Sequence, residues 1–226
     1  DGDAVGYGGV TELANGNFVI SSPDWDNNTI LGAGAATFGN GITGVSGIVS
    51  AGNSLVGSSN GDGVGLSVTA LMNGNYVVSS RNWDNGSIKN AGAVTFGDGT
   101  SGVMGIVSAT NSLVGSSNFD YVGGDEGDVI ALSNGNYVVA SSDWNNGSVV
   151  LAGAVTFGDG TTGITGIISA SNSLIGSSDG DYVGYYVTGL TNGNYVVSSS
   201  DWDNGDIVNA GAVTFGNGTT GVTGMI

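Results

Sequence analysis

Residues 67–80 read Ser-Val-Thr-Ala-Leu-Met-Asn-Gly-Asn-Tyr-Val-Val-Ser-Ser, which is two short runs of β-forming residues around Asn73-Gly74. Both residues of an Asn-Gly pair tolerate positive φ, so between such runs the pair predicts a tight β-hairpin. Close copies of the stretch occur around Asn15, Asn134 and Asn192. The hairpin is therefore predicted to be the recurring unit of the fold.

Other landmarks recur with the hairpin. Successive copies of Asn-Gly-Asn lie 58, 61 and 58 residues apart. The same steps separate Trp25, Trp83, Trp144 and Trp202, and also the Ala-Gly-Ala motifs that begin at Ala33, Ala91, Ala152 and Ala210. A fixed period of this length is typical of stacked repeats or propellers. It predicts four repeats, at residues 1–60, 61–118, 119–179 and 180–226.

The fold class follows from the second repeat. After the hairpin, Ala91–Phe96 is predicted as a third strand, Gly102–Ser108 as an extended segment broken by Gly, and Leu113–Ser117 as a fourth strand. No stretch shows an apolar stripe of helical period. The sequence predicts an all-β repeat protein of four blade-like, four-stranded antiparallel units, similar to a β-propeller. A β-solenoid is the alternative.

The fourth strand has an Asn-Ser-Leu signature, which begins at Asn53, Asn111 and Asn172. Four repeats thus contain only three copies, and we expect the last sheet to lack a strand and to have an open edge. Open edges pair with other chains. We therefore expect head-to-tail self-association.

Composition excludes several classes of function. The net charge is −17, with two basic residues against nineteen acidic ones, and such a field disfavours nucleic acid and anionic membranes as partners. No apolar run is long enough to predict membrane insertion. The chain has no His and no Cys, and Lys89 is its only Lys, so the usual parts of a catalytic site are missing. We expect no enzyme and no cofactor.

The order of strands and loops resembles the FG-GAP propeller repeat of integrin-α-type proteins. Val183-Gly184 takes the place of Phe-Gly, Val187–Gly189 that of the first strand, and Asn192–Asn194 that of the loop. Val196–Ser199 and Ala210–Phe215 follow as the next two strands. The family's calcium loop needs acidic oxygens, and no acid stands beside Asn-Gly-Asn here, so the resemblance does not imply that calcium site.

The sequence resembles more closely the repeats of very large, haemagglutinin-like bacterial surface proteins. That resemblance implies secretion and an extracellular or cell-surface location, without implying a chemistry. The absence of Cys fits extracellular bacterial proteins that stabilise themselves by repetition.

The loop around each Trp is the most regular polar feature. Exposed Trp rings with neighbouring carboxamides could stack on sugars and bind their hydroxyls, which makes glycans candidate partners. In the alternative, Trp packs between repeats while Asp and Asn form the turn, and recurrence in every repeat favours this interpretation. The candidate ligand-binding residues are Trp25, Trp83, Trp144, Trp202, Asn27, Asn85, Asn146 and Asn204.

Four Asn-x-Ser/Thr sequons are candidates for glycosylation, which requires exposed loops in a secreted protein. Asn-Gly-Ser/Thr is also simple turn composition, and that alternative is open. The acceptor residues would be Asn27, Asn85, Asn146 and Asn217.

Acidic residues near the starts of the repeats are candidate ligands for calcium, which prefers hard oxygen ligands. The best candidates surround the insertion that lengthens the third repeat: Asp120, Asp125, Glu126 and Asp128. Asp1 with Asp3 and Asp179 with Asp181 form similar groups, and Asp62 stands alone in the second repeat. Solvated turn acids are the favoured interpretation of all of them.

Two functions fit these features. The first is an extracellular structural or assembly module of a bacterial surface protein or fibre, self-associating through the open sheet edge. The second is an adhesin or lectin-like module that binds carbohydrate, with or without the help of calcium.

Overall fold

The computed structural model describes residues 2–124 and 128–226, which form eighteen strands and no helix. None of these residues lies in a helix long and apolar enough to cross a membrane. The strands are, in the first repeat, β1 (Gly9–Glu12), β2 (Phe18–Ser22), β3 (Ala35–Gly39) and β4 (Leu55–Val56); in the second, β5 (Ser67–Ala70), β6 (Tyr76–Ser80), β7 (Ala93–Gly97), β8 (Gly105–Ile106) and β9 (Ser112–Val114); in the third, β10 (Val129–Ala131), β11 (Tyr137–Ser141), β12 (Ala154–Gly158), β13 (Gly166–Ile167) and β14 (Ser173–Ile175); in the fourth, β15 (Tyr186–Gly189), β16 (Tyr195–Ser199), β17 (Ala212–Gly216) and β18 (Gly224–Met225).

The predicted hairpin is confirmed in each repeat. In the second repeat β5 and β6 pair antiparallel, with Ala70 opposite Tyr76. The Gly74 N–H donates to the Leu71 carbonyl over 3.1 Å, and Gly74 has φ +90°. This is the three-residue hairpin loop that places Gly in the left-handed region, and it explains why Gly follows Asn73.

The predicted all-β repeat architecture is also confirmed: each repeat has an antiparallel sheet. In the first three repeats, the third strand of the hairpin sheet pairs antiparallel with a short strand. We call these short strands, β4, β9 and β14, the closing strands. They begin close to the Asn-Ser-Leu signature from which they were predicted.

A fifth strand in each of these sheets comes from the following repeat. In the second repeat it lies within Gly102–Ser108, which was predicted as extended, but this pairing was not predicted. We call β8, β13 and β18 the crossing strands, because each pairs in parallel with the closing strand of the preceding repeat. At the first junction, the Gly105 N–H donates to the Ser54 carbonyl over 3.0 Å and the Val107 N–H to the Val56 carbonyl over 3.1 Å. Neighbouring repeats therefore share a sheet.

The sheets also stack face to face, and three hydrophobic cores lie between them. Val78 of the second sheet packs with Ala36 and Leu55 of the first, while Val77 packs with Val139 of the third. Both faces of β6 and β11 are consequently buried along their whole length. This explains the consecutive Val-Val pairs, since a strand covered on both faces has no polar side.

The two outer repeats show that the stack is open. Burial alternates along β2 and along β16, but in opposite phase: β2 buries Val19 and half-exposes Ile20, whereas β16 buries Val197 and half-exposes Val196. Each outer sheet is therefore covered on one face only, and the uncovered faces are at opposite ends of the stack. The fourth sheet has three strands, β15–β17, among the described residues.

The Ala-Gly-Ala motif marks a close contact between repeats. Gly92 has φ +74°, and a Cβ added there would overlap the backbone nitrogen of Val122 in the connection to the third repeat. Gly211, its equivalent in the fourth repeat, has φ +73°, but its nearest neighbour, the Ser200 carbonyl oxygen, would lie 3.3 Å away. The two glycines share a backbone conformation and differ in the contact.

We predict that Gly92→Ala lowers the free energy of unfolding by more than about 3 kcal/mol, because left-handed strain and backbone overlap add. Gly211→Ala is the matched control and should cost only about 1–2 kcal/mol, the strain alone. Urea denaturation followed by Trp fluorescence measures both. Equal losses in the two variants would show that the contact between repeats contributes nothing.

Candidate functional site: the repeat junction

The Asn-Gly-Asn turn forms the first polar part of the junction between repeats. Asn73 Nδ2 and Asn75 Nδ2 both donate to the Gly160 carbonyl of the next repeat, over 2.6 and 2.8 Å. The turn holds the two carboxamides side by side, because the Asn75 N–H donates to Asn73 Oδ1 over 3.1 Å. Gly74 between them permits the tight turn, and the motif therefore acts as a clamp on the neighbouring repeat.

The second Asn of each clamp also bonds to its own repeat. Asn75 Oδ1 accepts from the Gly99 N–H over 2.9 Å, while the Gly99 carbonyl accepts from Asn17 Nδ2 of the preceding repeat over 2.8 Å. The pattern continues through Asn136, which links the Gly160 N–H to the Gly218 carbonyl. A hydrogen-bonded ladder thus runs through all four repeats.

A buried carboxylate forms the second polar part of the junction. Asp62 is 0% exposed, and its Oδ2 accepts from the N–H groups of Ser58 and Ser59, each over 2.8 Å. Its Oδ1 accepts from the Asp84 N–H, next to Trp83, over 3.0 Å. Asp62 therefore joins the bend after closing strand β4 to the Trp loop of the second repeat.

The same arrangement recurs at the next two junctions. Asp120 accepts from Ser116, Ser117 and the backbone and side chain of Asn145. Asp181 accepts from the N–H groups of Ser177, Ser178 and Asp203. We call Asp62, Asp120 and Asp181 the anchor aspartates.

Burial decides the electrostatics of the anchors. It raises the pKa of Asp62 and of Asp120 above the ordinary range, and the backbone N–H bonds offset only part of that effect. The nearby Asp84 carboxylate raises the pKa of Asp62 further. By contrast, Asp98 lies at the surface, where bonds from Thr100 and Ser101 lower its pKa to about 2. The carboxylates of Asp62 and Asp120 are therefore costly groups that the junction nevertheless holds.

The Trp rings lie in the core. Trp83 packs in the same core as Ala93, Val107 and Val114, and Trp25 and Trp144 are buried equally. Trp202 is half-buried. This placement matches the packing interpretation of the Trp loop, and stacking of Trp83 or Trp144 on a sugar would require the ring to leave the core.

A model of the DUF5650 family, described as a repeat of unknown function, matches residues 12–66, 70–124, 131–185 and 189–226. The chain belongs to the DUF5650 repeat family. The four matches repeat with the period predicted from the sequence. No curated protein matches the chain.

The polar turn residues of the DUF5650 Trp loops form hydrogen bonds within their own loop. Asp84 Oδ1 accepts from the Asn90 N–H over 2.8 Å, and the N–H and carbonyl groups of Asn85 pair with those of Ile88. Asn27, Asn146 and Asn204 form the same tight pairing. Among the sequon residues, Asn217 is exposed, while Asn27, Asn85 and Asn146 are half-buried. Glycosylation at these sites stays a prediction.

Two of the four predicted calcium ligands of this DUF5650 chain, Asp120 and Asp128, lie among the described residues. Asp125 and Glu126 lie outside the described residues. Asp120 is an anchor whose two oxygens already accept N–H donors, and burial raises the pKa of Asp128 while Arg81 opposes that shift. The described part of the chain contains no cluster of three acidic side chains that could hold a metal ion.

Sequence reasoning missed the anchors. Asp62, Asp120 and Asp181 were interpreted as solvated turn acids, and this interpretation is wrong because all three are fully buried. One signal could have found them: each stands two residues before a Val-Gly pair, at Val64, Val122 and Val183. The inter-repeat clamp of Asn-Gly-Asn was also missed, because a hairpin turn already explains the motif locally.

We predict that Asn73→Asp lowers the free energy of unfolding by about 1–3 kcal/mol, since a carboxylate oxygen then faces the Gly160 carbonyl and a partly buried bond is lost. The matched control is Asn192→Asp in the fourth repeat. Asn192 makes the same local bond to Asn194, and no acceptor for its Nδ2 is found among the described residues. The control should change stability by less than about 0.5 kcal/mol. Urea denaturation distinguishes the clamp from a local turn, which would make both variants equally unstable.

We also predict that Asp62→Ala costs about 3–5 kcal/mol, because one buried and two partly buried N–H groups lose their acceptor. Asp3→Ala, at the exposed equivalent position in the first repeat, should be nearly neutral. Because the pKa of Asp62 is raised in the folded state, its contribution grows as the pH falls through that pKa and shrinks as the pH rises. The difference between wild type and Asp62→Ala should therefore be larger at pH 4 than at pH 7. A difference independent of pH would contradict the raised pKa.

Proposed function

We propose that this chain is a structural module of a bacterial surface protein or fibre, in which repeats stack and copies associate head to tail. The observation that supports the proposal most directly is the recurrence of one junction. At each of three successive junctions, the same shared sheet, Asn clamp and anchor aspartate join the repeats. Solenoid proteins use such nearest-neighbour contacts to build extended structures.

The outer faces of the stack are suited to association between copies. On the fourth repeat, Val213 is 74% exposed, whereas its equivalents Val94 and Val155 are buried by the next repeat. On the first repeat, Ile20 is half-exposed, whereas its equivalent Val78 is buried by the preceding repeat. Because these are the two sides of one internal junction, they complement each other and not themselves, which gives a heterologous contact.

The proposed surface location and the absence of catalysis rest on the sequence. The resemblance to haemagglutinin-like surface proteins and the lack of Cys support secretion. The lack of His and Cys, with a single Lys, supports a role without catalysis. The FG-GAP resemblance and the propeller geometry it implies stay predictions, as does glycan binding.

We expect the purified chain to form oligomers that grow with concentration in sedimentation velocity, at about 150 mM salt so that its net charge is screened. Ile20→Glu on the first repeat and Val213→Glu on the fourth should each prevent growth, because each places a carboxylate in the apolar contact. Neither residue is fully buried in the isolated chain, so both variants should melt close to wild type.

An equal mixture of the two variants is the most specific test of the head-to-tail contact. Each variant retains the face that the other has lost, so the mixture should form dimers and nothing larger. A chain that is monomeric at every concentration would overturn head-to-tail association, and so would a mixture that forms no dimer. Oligomers that survive both substitutions would show that copies associate through another surface.

A further inference from the structure

Inside the chain, one segment type always fills the space between two repeats. It consists of a closing strand and the bend that follows it, as in residues 53–59, Asn-Ser-Leu-Val-Gly-Ser-Ser. One edge of closing strand β9 pairs antiparallel with β7 of its own repeat, and the other pairs in parallel with crossing strand β13. We call this segment type the closing segment.

The receiving repeat recognises the closing segment mainly through the segment's backbone. The N–H groups of Gly105 and Val107 donate to two carbonyls of the strand, and the Asp62 carboxylate accepts from two N–H groups of the bend. A Cβ added to Gly57 of the segment would lie 2.2 Å from the Ala33 carbonyl oxygen of its own repeat and 2.8 Å from Asp62 Cβ of the receiving repeat. Gly115 and Gly176 meet Asp120 and Asp181 in the same way. The contact therefore selects an extended segment with Gly at that position.

The first repeat presents the same set of groups on its uncovered face. Asp3, Trp25 and Val49 correspond to Asp62, Trp83 and Val107, and together with Ile48 they line a surface groove of about 480 Å³. Asp3 is exposed, in contrast to the anchors. The backbone is nevertheless arranged as at an occupied junction.

The backbone next to Asp3 supports this correspondence. Ala4 has φ +40°, and the residues that follow the anchors have φ +56° at Gly63, +46° at Tyr121 and +45° at Tyr182. Positive φ is unfavourable for a residue with a Cβ, so Ala4 would not adopt it without the surrounding fold. The backbone of the first repeat thus has the acceptor conformation.

We propose that the groove of the first repeat, lined by Asp3, Trp25, Ile48 and Val49, is a docking site for the closing segment of another DUF5650 repeat. This inference rests on the proposed stacking function and names what completes the stack. The segment would enter as a parallel strand beside Gly47–Val49, and the Asp3 carboxylate would accept the N–H groups of its Ser-Ser bend.

Disulfide trapping tests the register, because the chain contains no Cys of its own. At the internal junctions, Val56 lies opposite Ile106 and Val114 opposite Ile167. In the first repeat, Ile48 corresponds to Ile106 and Ile167. Its side chain is 90% exposed, so Ile48→Cys should leave the fold intact. The probe is a synthetic peptide of residues 111–118 that contains Val114→Cys. The full chain with Val114→Cys and Ile167→Cys carries both thiols at one internal junction. Its rate of disulfide formation is the reference for an occupied junction.

We expect the peptide to form a disulfide with the Ile48→Cys protein at least about tenfold faster than with Ile42→Cys, since docking raises the effective concentration of the thiol. Ile42 is 95% exposed in the same repeat and lies outside the groove. A peptide that also contains Gly115→Ala should lose the advantage, and so should the Asp3→Ala background. Excess unmodified peptide should compete.

Equal rates at positions 42 and 48, or a rate indifferent to Gly115→Ala, would overturn the docking site. The outcome is separate from that of the stacking experiment. Chains that oligomerise but show no selective trapping would leave the stacking function standing and remove this inference. Selective trapping with a strictly monomeric chain would support the docking site and remove unaided head-to-tail association.

Discussion

The two inner sheets of this protein are covered on both faces, and the other features of the fold depend on that burial. Strands β6 and β11 bury every side chain, so an isolated repeat would expose two apolar faces to water. Burial of apolar area is the main favourable contribution to folding. A repeat therefore obtains its stability from its neighbours, and folding and assembly use the same contacts.

Apolar stacking alone would not fix how one sheet lies on the next, because hydrophobic contact is not directional. The polar groups of the junction supply the direction. The Asn clamp, the anchor aspartate and the crossing strand each bond to particular backbone groups, and a shift of one residue would leave those buried groups without partners. Raised pKa values at Asp62 and Asp120 show that this specificity has an energetic cost.

The sequence predicted local features well and inter-repeat features poorly, for a physical reason. Asn73-Gly74 specifies its hairpin through its own backbone preferences, so it could be recognised without knowledge of the fold. Crossing strand β8 spans only Gly105–Ile106 and its partner is in another repeat, so the local pattern predicted an extended segment but not the pairing. Asp62 was misjudged because acidic residues in turns are usually solvated. The burial of the Trp rings agrees with the interpretation, favoured by their recurrence, that Trp packs between repeats.

The identity of the junctions also affects how such a protein changes in length. Because each repeat offers its successor the same bonding groups, a duplicated or deleted copy rejoins the chain through contacts that are already optimal. An insertion of one or two residues within a strand would instead displace the clamp from its glycine and the anchor from its bend. Recombination between whole repeats is thus structurally neutral where small insertions are not. We therefore expect members of the family to vary in length mainly by complete repeats.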